Sequence, residues 1–347
     1  ADIRCAERTA NRPKEVVGSL WYNPSTCLSQ PEADRFRRRR MWLNAAWRLK
    51  PAVGWQTGGG IMRSMSRQSL IRYCEVATQA AHRAGRLLAA HIGRPRTIRT
   101  KRSEIDLVTE IDRASERLLH AAIQRQFPDH GFQGEERIQT HPTAAYQWIV
   151  DPLDGTTNFV HGVPLFAVSI ALRYHNELLV GVIHDPTRGE TFTAIKDSGA
   201  WLNGQRIRVS GVRTVGKSLL STGFSPKFRT NPAPYLRWFR ALQLRCHGVR
   251  RMGCTSLSLA YVACGRHDGF YEQDLWPWDI AAGLLLVQEA HGRVSDFHGH
   301  PVRLDRGQVV ASNGLIHREI VTRLARPGYR RRPTDAAALE RTGRAFR

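Results

Sequence analysis

Apolar residues recur at three- and four-residue steps from Leu70 onward, through Cys74, Ala77, Ala81, Ala84 and Leu88. That spacing predicts an amphipathic helix ending near Gly93 and Pro95. The same period, with Ser115, Leu118, Ala122 and Ile123 inward, predicts a second helix over Asp112 to Phe127. After a short apolar run, Trp148-Ile149-Val150, the pattern turns strand-like over 166–174, 178–184 and 190–195. His175-Asn176-Glu177 is short enough to close a hairpin between the first two, and Asn203-Gly204 marks a tight turn. The second half alternates: a strand at 218–224, helices at 232–244 and 255–264, then a strand at 269–272. An apolar helix headed by Asp279 and ending near Gly292 follows, then a strand at 309–312 and a helix at 315–324. The alternation predicts an α/β chain, α+β layered, with a break near residues 205–215 and no internal repeat.

A chain of 347 residues exceeds one ordinary domain, and a 41% hydrophobic fraction supports a sizeable core. Two subdomains are expected, 65–208 and 209–325. Residues 1–64 differ, with scattered Pro, an Arg run at 37–40, irregularly spaced tryptophans and Gly58-Gly59-Gly60. They read as a disordered or non-native extension; an organelle-targeting segment is the other reading, against which the acidic residues count. Residues 326–347 read as a basic tail. The formal charge of +22 follows in part from these ends, and contact with RNA or another polyanion is the alternative. Six cysteines show neither C-x-x-C nor zinc-like spacing and read as thiols in a reducing compartment. No secretory apolar segment opens the chain, and no apolar stretch approaches the roughly 20 residues of a membrane span, so the cytoplasm is the expected location.

In so basic a chain, Asp151-Pro152-Leu153-Asp154-Gly155-Thr156-Thr157-Asn158 stands out. A strand delivers two carboxylates into a turn whose Gly155 and Thr156 N–H groups are free to face an anion. Hard cations such as Mg²⁺ take oxygen ligands of this kind. Other acidic residues have ordinary readings when taken singly. Glu135 and Glu136 would be solvated carboxylates in an exposed turn, Asp112 and Asp279 helix caps, and Glu272 a rim residue. Together they supply enough oxygens for a two-metal site that clamps attacking and leaving oxygens. Ser169 and Cys254, as alternative nucleophiles, have no evident base partner.

These segments resemble the inositol monophosphatase family of Mg²⁺-dependent phosphatases, over roughly residues 68–325. The matching stretches are Asp151 to Phe159, Trp278-Asp279-Ile280-Ala281-Ala282-Gly283, Gly134-Glu135-Glu136 and Asp106 to Asp112, in the family's order. Ala260 to Glu272 is similar to the bacterial, extragenic-suppressor-like branch. The resemblance implies an alternating α-β-α-β-α sandwich, a homodimer and inhibition by Li⁺. It implies that Glu135, Asp151 and the Leu153 carbonyl hold one Mg²⁺. Asp151, Asp154 and Asp279 would hold a second, and Glu136 a weaker third. Thr156, paired with Asp112, would orient the attacking water. Gly155 and Thr156 would bind phosphate, with Glu272, Gly253 and Thr255 at the substrate hydroxyls. The implied substrate is myo-inositol 1-phosphate or a similar phosphate ester. Nucleotide 3′-phosphates, histidinol phosphate and fructose bisphosphate are alternatives within the same chemistry, and contact with the transcription machinery is an alternative outside it. Cys254, Trp276 and His291-Gly292 depart from the family's usual wording.

Overall fold

The computed structural model describes residues 66–94, 98–100 and 107–325, so the two expected tails lie outside the described residues. The first helix, α1 (Arg67–His91), starts where the Ser66 hydroxyl accepts the Ser69 N–H at 3.1 Å, and it buries the predicted Leu70, Cys74, Ala77, Ala81, Ala84 and Leu88. A two-stranded ribbon, β1 (Ile98–Thr100) and β2 (Leu107–Thr109), leads into α2 (Glu110–Gln124). This helix begins two residues earlier than its periodicity predicts, because Thr109 caps it in a reciprocal box with Asp112. Its inner face also differs. Ile111, Asp112, Ser115, Glu116, Leu119 and Ile123 are buried, in place of Leu118 and Ala122.

The larger sheet is built from β3 (Gly131–Gly134), β4 (Gln139–Thr140), β5 (Tyr146–Asp154), β6 (Ala167–Tyr174), β7 (Glu177–Asp185), β8 (Glu190–Ile195), β9 (Gly199–Leu202) and β10 (Gln205–Ile207). Its order is β10-β9-β8-β7-β6-β5-β3-β4, antiparallel except for the parallel β3–β5 pair. The β6–β7 hairpin turns on His175-Asn176, since Glu177 already pairs with Tyr174. Asn203 and Gly204 carry positive φ of 49° and 82°, the turn that Asn-Gly favours between paired strands. A short helix, α3 (Thr156–Val160), follows β5.

The second sheet has the order β12-β11-β13-β15-β14, from β11 (Leu219–Thr222), β12 (Gly248–Arg250), β13 (Gly269–Glu272), β14 (Arg293–Ser295) and β15 (Val309–Ser312). Its helices are α4 (Ala233–Gln243), α5 (Thr255–Ala263), α6 (Pro277–Glu289) and α7 (His317–Leu324). The connection between the sheets runs over residues 208–218, whereas the break expected near 205–215 begins inside β10. Helices α5 and α6 contact both sheets, which is why they are apolar on every side. Their core joins Ile149, Ala171, Ile183 and Phe192 of one sheet to Phe270, Val309 and Ala311 of the other. On the outer faces, α1 and α2 cover the larger sheet, and α4 and α7 pack with Leu220, Tyr271 and Val310 of the smaller. The result is the expected α-β-α-β-α layering. Strands β1 to β4, β12 and β14, and helix α3, were not anticipated. Each is five residues or fewer, too short to show a period.

Two buried histidines link this core to pH. His267 meets the Ser221 hydroxyl at 3.0 Å, and burial first, then Arg250 and Arg266, lowers its pKa from 6.5 to about 4 despite Asp268. His317 lies between Ser295 and Ser312 and is lowered to about 4 in the same way, by burial and Arg293. A histidine whose folded pKa is depressed takes up its proton more readily unfolded. Its contribution is therefore complete above pH 6.5 and is lost as pH falls towards 4. His267→Gln is expected to be less stable than the parent at pH 7.5. That gap should close by up to about 3 kcal/mol as pH falls from 6.5 to 4, measured by urea unfolding. A gap independent of pH would contradict this.

Candidate active site

The site forms where β3 and β5, running parallel, end side by side. Gly134 pairs with Val150, and the Glu135 N–H donates to the Val150 carbonyl at 3.2 Å, so Glu135 emerges next to Asp151. Ligand sites in α/β sheets gather at such carboxyl ends. Between Asp151 and Asp154 the pairing of β5 with β6 loses register, three steps on β5 matching two on β6. Pro152, which has no N–H to give a ladder, sits in this bulge. The Leu153 N–H turns back to Asp151 Oδ1 at 3.0 Å, and the Ser115 hydroxyl of α2 donates to the Pro152 carbonyl at 2.9 Å. Asp151 and Leu153 are thereby buried and fixed.

At the next residue the chain needs glycine. Gly155 has φ 95°, and a Cβ there would stand 2.9 Å from the Leu165 carbonyl oxygen and 3.3 Å from that of Gly253. Asn158 ties this turn to the facing loop by donating to Leu165 and Met252 carbonyls at 2.7 and 2.8 Å. Thr156 Oγ1 lies 3.1 Å from both Asp112 Oδ1 and the Leu153 carbonyl oxygen. Asp112 is fully buried, and its other oxygen accepts the Thr109 N–H at 2.8 Å and the Thr109 hydroxyl at 2.5 Å. It is therefore both a helix-capping group and the partner of Thr156, one oxygen for each role.

Asp154 is aimed by the start of α5. Its Oδ2 accepts the Ser256 N–H at 2.6 Å and the Cys254 thiol at 3.2 Å. Asp279 occupies the first turn of α6 and accepts the Trp276 N–H at 2.7 Å. Glu272 ends β13 and accepts the Thr255 hydroxyl at 3.2 Å; a Cβ on Gly223 would collide with its carboxylate at 2.1 Å. These groups feel one another. Burial, then the negative charges of Glu135, Asp154 and Glu272, raises the Asp279 pKa well above the ordinary value. Burial also raises Asp154 against its hydrogen bonds. Glu272 is pushed up to about 8, by burial first and then Asp154, against the Thr255 hydrogen bond and Arg251.

Carboxylates from three separate stretches thus gather in one partly buried volume, where like charges oppose ionisation. Hard oxygen donors held this way suit a divalent cation, which reverses that penalty. Among the described residues, no group of three or more His, Cys, Asp or Glu side chains is closed around one metal-sized position.

One expectation changes. Glu136 is buried (5% exposed) rather than solvated in an exposed turn, because its backbone and that of its neighbours dock on Glu116 of α2. Trp276, one of the departures from the family's wording, is half-buried and stacks its indole on Trp278 at 5.3 Å. Cys254 is no better placed as a nucleophile: burial, then Asp154, raises its thiol pKa well above the ordinary value. Ser169 donates to the Trp278 carbonyl at 3.2 Å. Glu116 itself escaped sequence reasoning, although it lies one residue from Ser115 on the helix face already marked as inward.

The sequence profile of the inositol monophosphatase family matches residues 70–327. The chain belongs to that family, a family of phosphatases that are generally metal-dependent, usually on Mg²⁺. It is 47% identical over 255 residues to Nus factor SuhB of Pseudomonas aeruginosa, which covers 71% of this chain and 93% of that protein. It is 41% identical over 265 residues to the inositol-1-monophosphatase of Mesorhizobium japonicum, covering 76% and 98%. Among solved structures, the extragenic suppressor protein suhB of Bartonella henselae superposes with a TM-score of 0.70 at 37% identity, over 74% of this chain and 100% of that one. The inositol monophosphatase of Anabaena gives 0.68 at 37% identity, over 75% and 98%. Among the described residues no helix is long and apolar enough to cross a membrane.

Proposed function

We propose that this chain hydrolyses a phosphate monoester with Mg²⁺, its substrate being myo-inositol 1-phosphate or a similar polyol phosphate. The observation that carries this is geometric: the parallel β3–β5 pairing sets Glu135 beside Asp151, and the first turns of α5 and α6 hold Asp154 and Asp279, with the Asp112–Thr156 hydrogen bond following β5. Glu135, Asp151 and the Leu153 carbonyl would hold one cation, Asp151, Asp154 and Asp279 a second, and Glu136 a weaker third. Bound Mg²⁺ supplies a water of lowered pKa and neutralises charge on the phosphoryl and leaving oxygens.

The remaining work belongs to the protein. Thr156 has one hydroxyl proton for two acceptors 3.1 Å away. When it donates to Asp112, its lone pairs face the site, ready to orient a water and take its proton toward the carboxylate. The N–H groups of Gly155 and Thr156 cradle the phosphate. Glu272 and Thr255, with Gly253 beside them, bind hydroxyls of the leaving alcohol. A homodimer belongs to the same reading.

Asp151→Asn should lower phosphate release about 100-fold or more without unfolding the protein. The assay is a panel of inositol, nucleotide, sugar and histidinol phosphates with Mg²⁺, and Asp279→Asn is the blank. Near-normal turnover by Asp151→Asn would contradict the bridging role, and preference for a nucleotide 3′-phosphate would overturn the polyol assignment.

A second reading, contact with RNA or the transcription machinery, is favoured by the name Nus factor borne by a relative at 47% identity and by the charge of +22. RNA binding that survives deletion of residues 1–64 and 326–347, and weakens steeply with salt, would support it. Binding lost with the tails would reduce it to tail electrostatics.

A further inference from the structure

A carboxylate buried in a protein needs a cation or several donors around it. Glu116 of α2 is 2% exposed, and the donors it meets are backbone N–H groups. Its Oε1 accepts the N–H groups of Glu136 and Arg137 at 2.8 and 3.3 Å, and its Oε2 accepts that of Ile138 at 3.3 Å. The loop so gripped is short: it leaves β3 at Gly134 and closes on itself where the Gly134 N–H donates to the Ile138 carbonyl at 2.9 Å. Glu116 fills its mouth. Space for the carboxylate exists only because residue 134 is glycine, since a Cβ there would stand 2.0 Å from Glu116 Oε1.

The side chains carried by this loop are Glu135 and Glu136. Burial of Glu116 therefore contributes little to core packing and a great deal to where those two carboxylates point. Its neighbours on the helix do related work. Asp112, Ser115 and Glu116 stand three and four residues apart, on one face of α2. Asp112 accepts from Thr156 after β5, Ser115 donates to the Pro152 carbonyl between Asp151 and Leu153, and Glu116 holds the loop after β3. One helical face thus grips two arms of the site, the end of β5 at two points and the loop after β3.

We infer that Glu116 is a positioning residue that sets cation affinity by fixing the backbone of residues 136–138, and with it Glu135 and Glu136. This rests on the reading of Glu135 and Glu136 as cation ligands. Groups that orient metal ligands from behind typically change metal affinity by about 10–100-fold. Removing the carboxylate frees three N–H groups and lets the loop wander, while Asp151, Asp154 and Asp279 keep their own supports.

The test is Mg²⁺ titration of parent, Glu116→Gln and Glu116→Ala, followed by thermal unfolding and by phosphate release. In the parent, Mg²⁺ should raise the melting temperature. In Glu116→Ala the half-effective Mg²⁺ concentration should rise about tenfold or more in both readouts, with a much smaller change in kcat at saturating Mg²⁺. Glu116→Gln keeps the volume and one accepting oxygen, so it should fall between and serves if the alanine variant does not fold. A lower melting temperature with an unchanged Mg²⁺ curve would make Glu116 merely structural and overturn the inference alone. A parent indifferent to Mg²⁺ would overturn the ligand reading and this inference with it.

Discussion

Like charges brought together out of water repel, and the rest of this structure is arranged around that constraint. Burial raises the pKa of Asp154, Glu272 and Asp279; the charge of Asp154 adds to the rise at Glu272, and those of Glu135, Asp154 and Glu272 add to it at Asp279. Left to themselves, such groups would take up protons or turn outward. They are held because each meets fixed donors: the Ser256 N–H for Asp154, the Thr255 hydroxyl for Glu272, the Trp276 N–H for Asp279. Backbone and short side chains supply this support, and none of these donors carries a charge that would neutralise the carboxylates. A volume of concentrated negative charge in a protein of +22 is what a cation would complete.

The layered architecture makes that arrangement available. Parallel pairing of β3 with β5 brings Glu135 beside Asp151, and a bulge around Pro152 turns Asp154 out of the strand. Helices α5 and α6, sandwiched between the sheets, begin at Thr255 and Pro277, so their first turns face the end of β5. Helix α2 closes the site from the outer layer through Asp112, Ser115 and Glu116. The supporting groups come from the larger sheet, the helices between the sheets and the outer helix α2, so the site depends on the packing of these three layers.

Much of this could be read from the chain. The helix over Arg67–His91 follows from periodicity, and the strands at 190–195, 269–272 and 309–312 from short apolar runs between clear breaks. The pairing of Thr156 with Asp112, implied by the family resemblance, is present at 3.1 Å. What escaped was set by contacts distant in sequence. Glu136 looks like a surface residue until Glu116, 20 positions away, is seen to bind its backbone. Parallel pairing of a four-residue β3 leaves no mark on local pattern. Glu116 itself, a charged residue on an amphipathic helix, would be placed in solvent by any rule of composition.

The central claim is that Glu135, Asp151, Asp154 and Asp279 together seat divalent cations. Anomalous diffraction from crystals soaked in Mn²⁺ locates such ions directly. Peaks within coordination distance of these four carboxylates, with Asp151 touching two of them, are expected. Crystals in which Mn²⁺ orders elsewhere, or leaves this cluster empty at millimolar concentration, would contradict it.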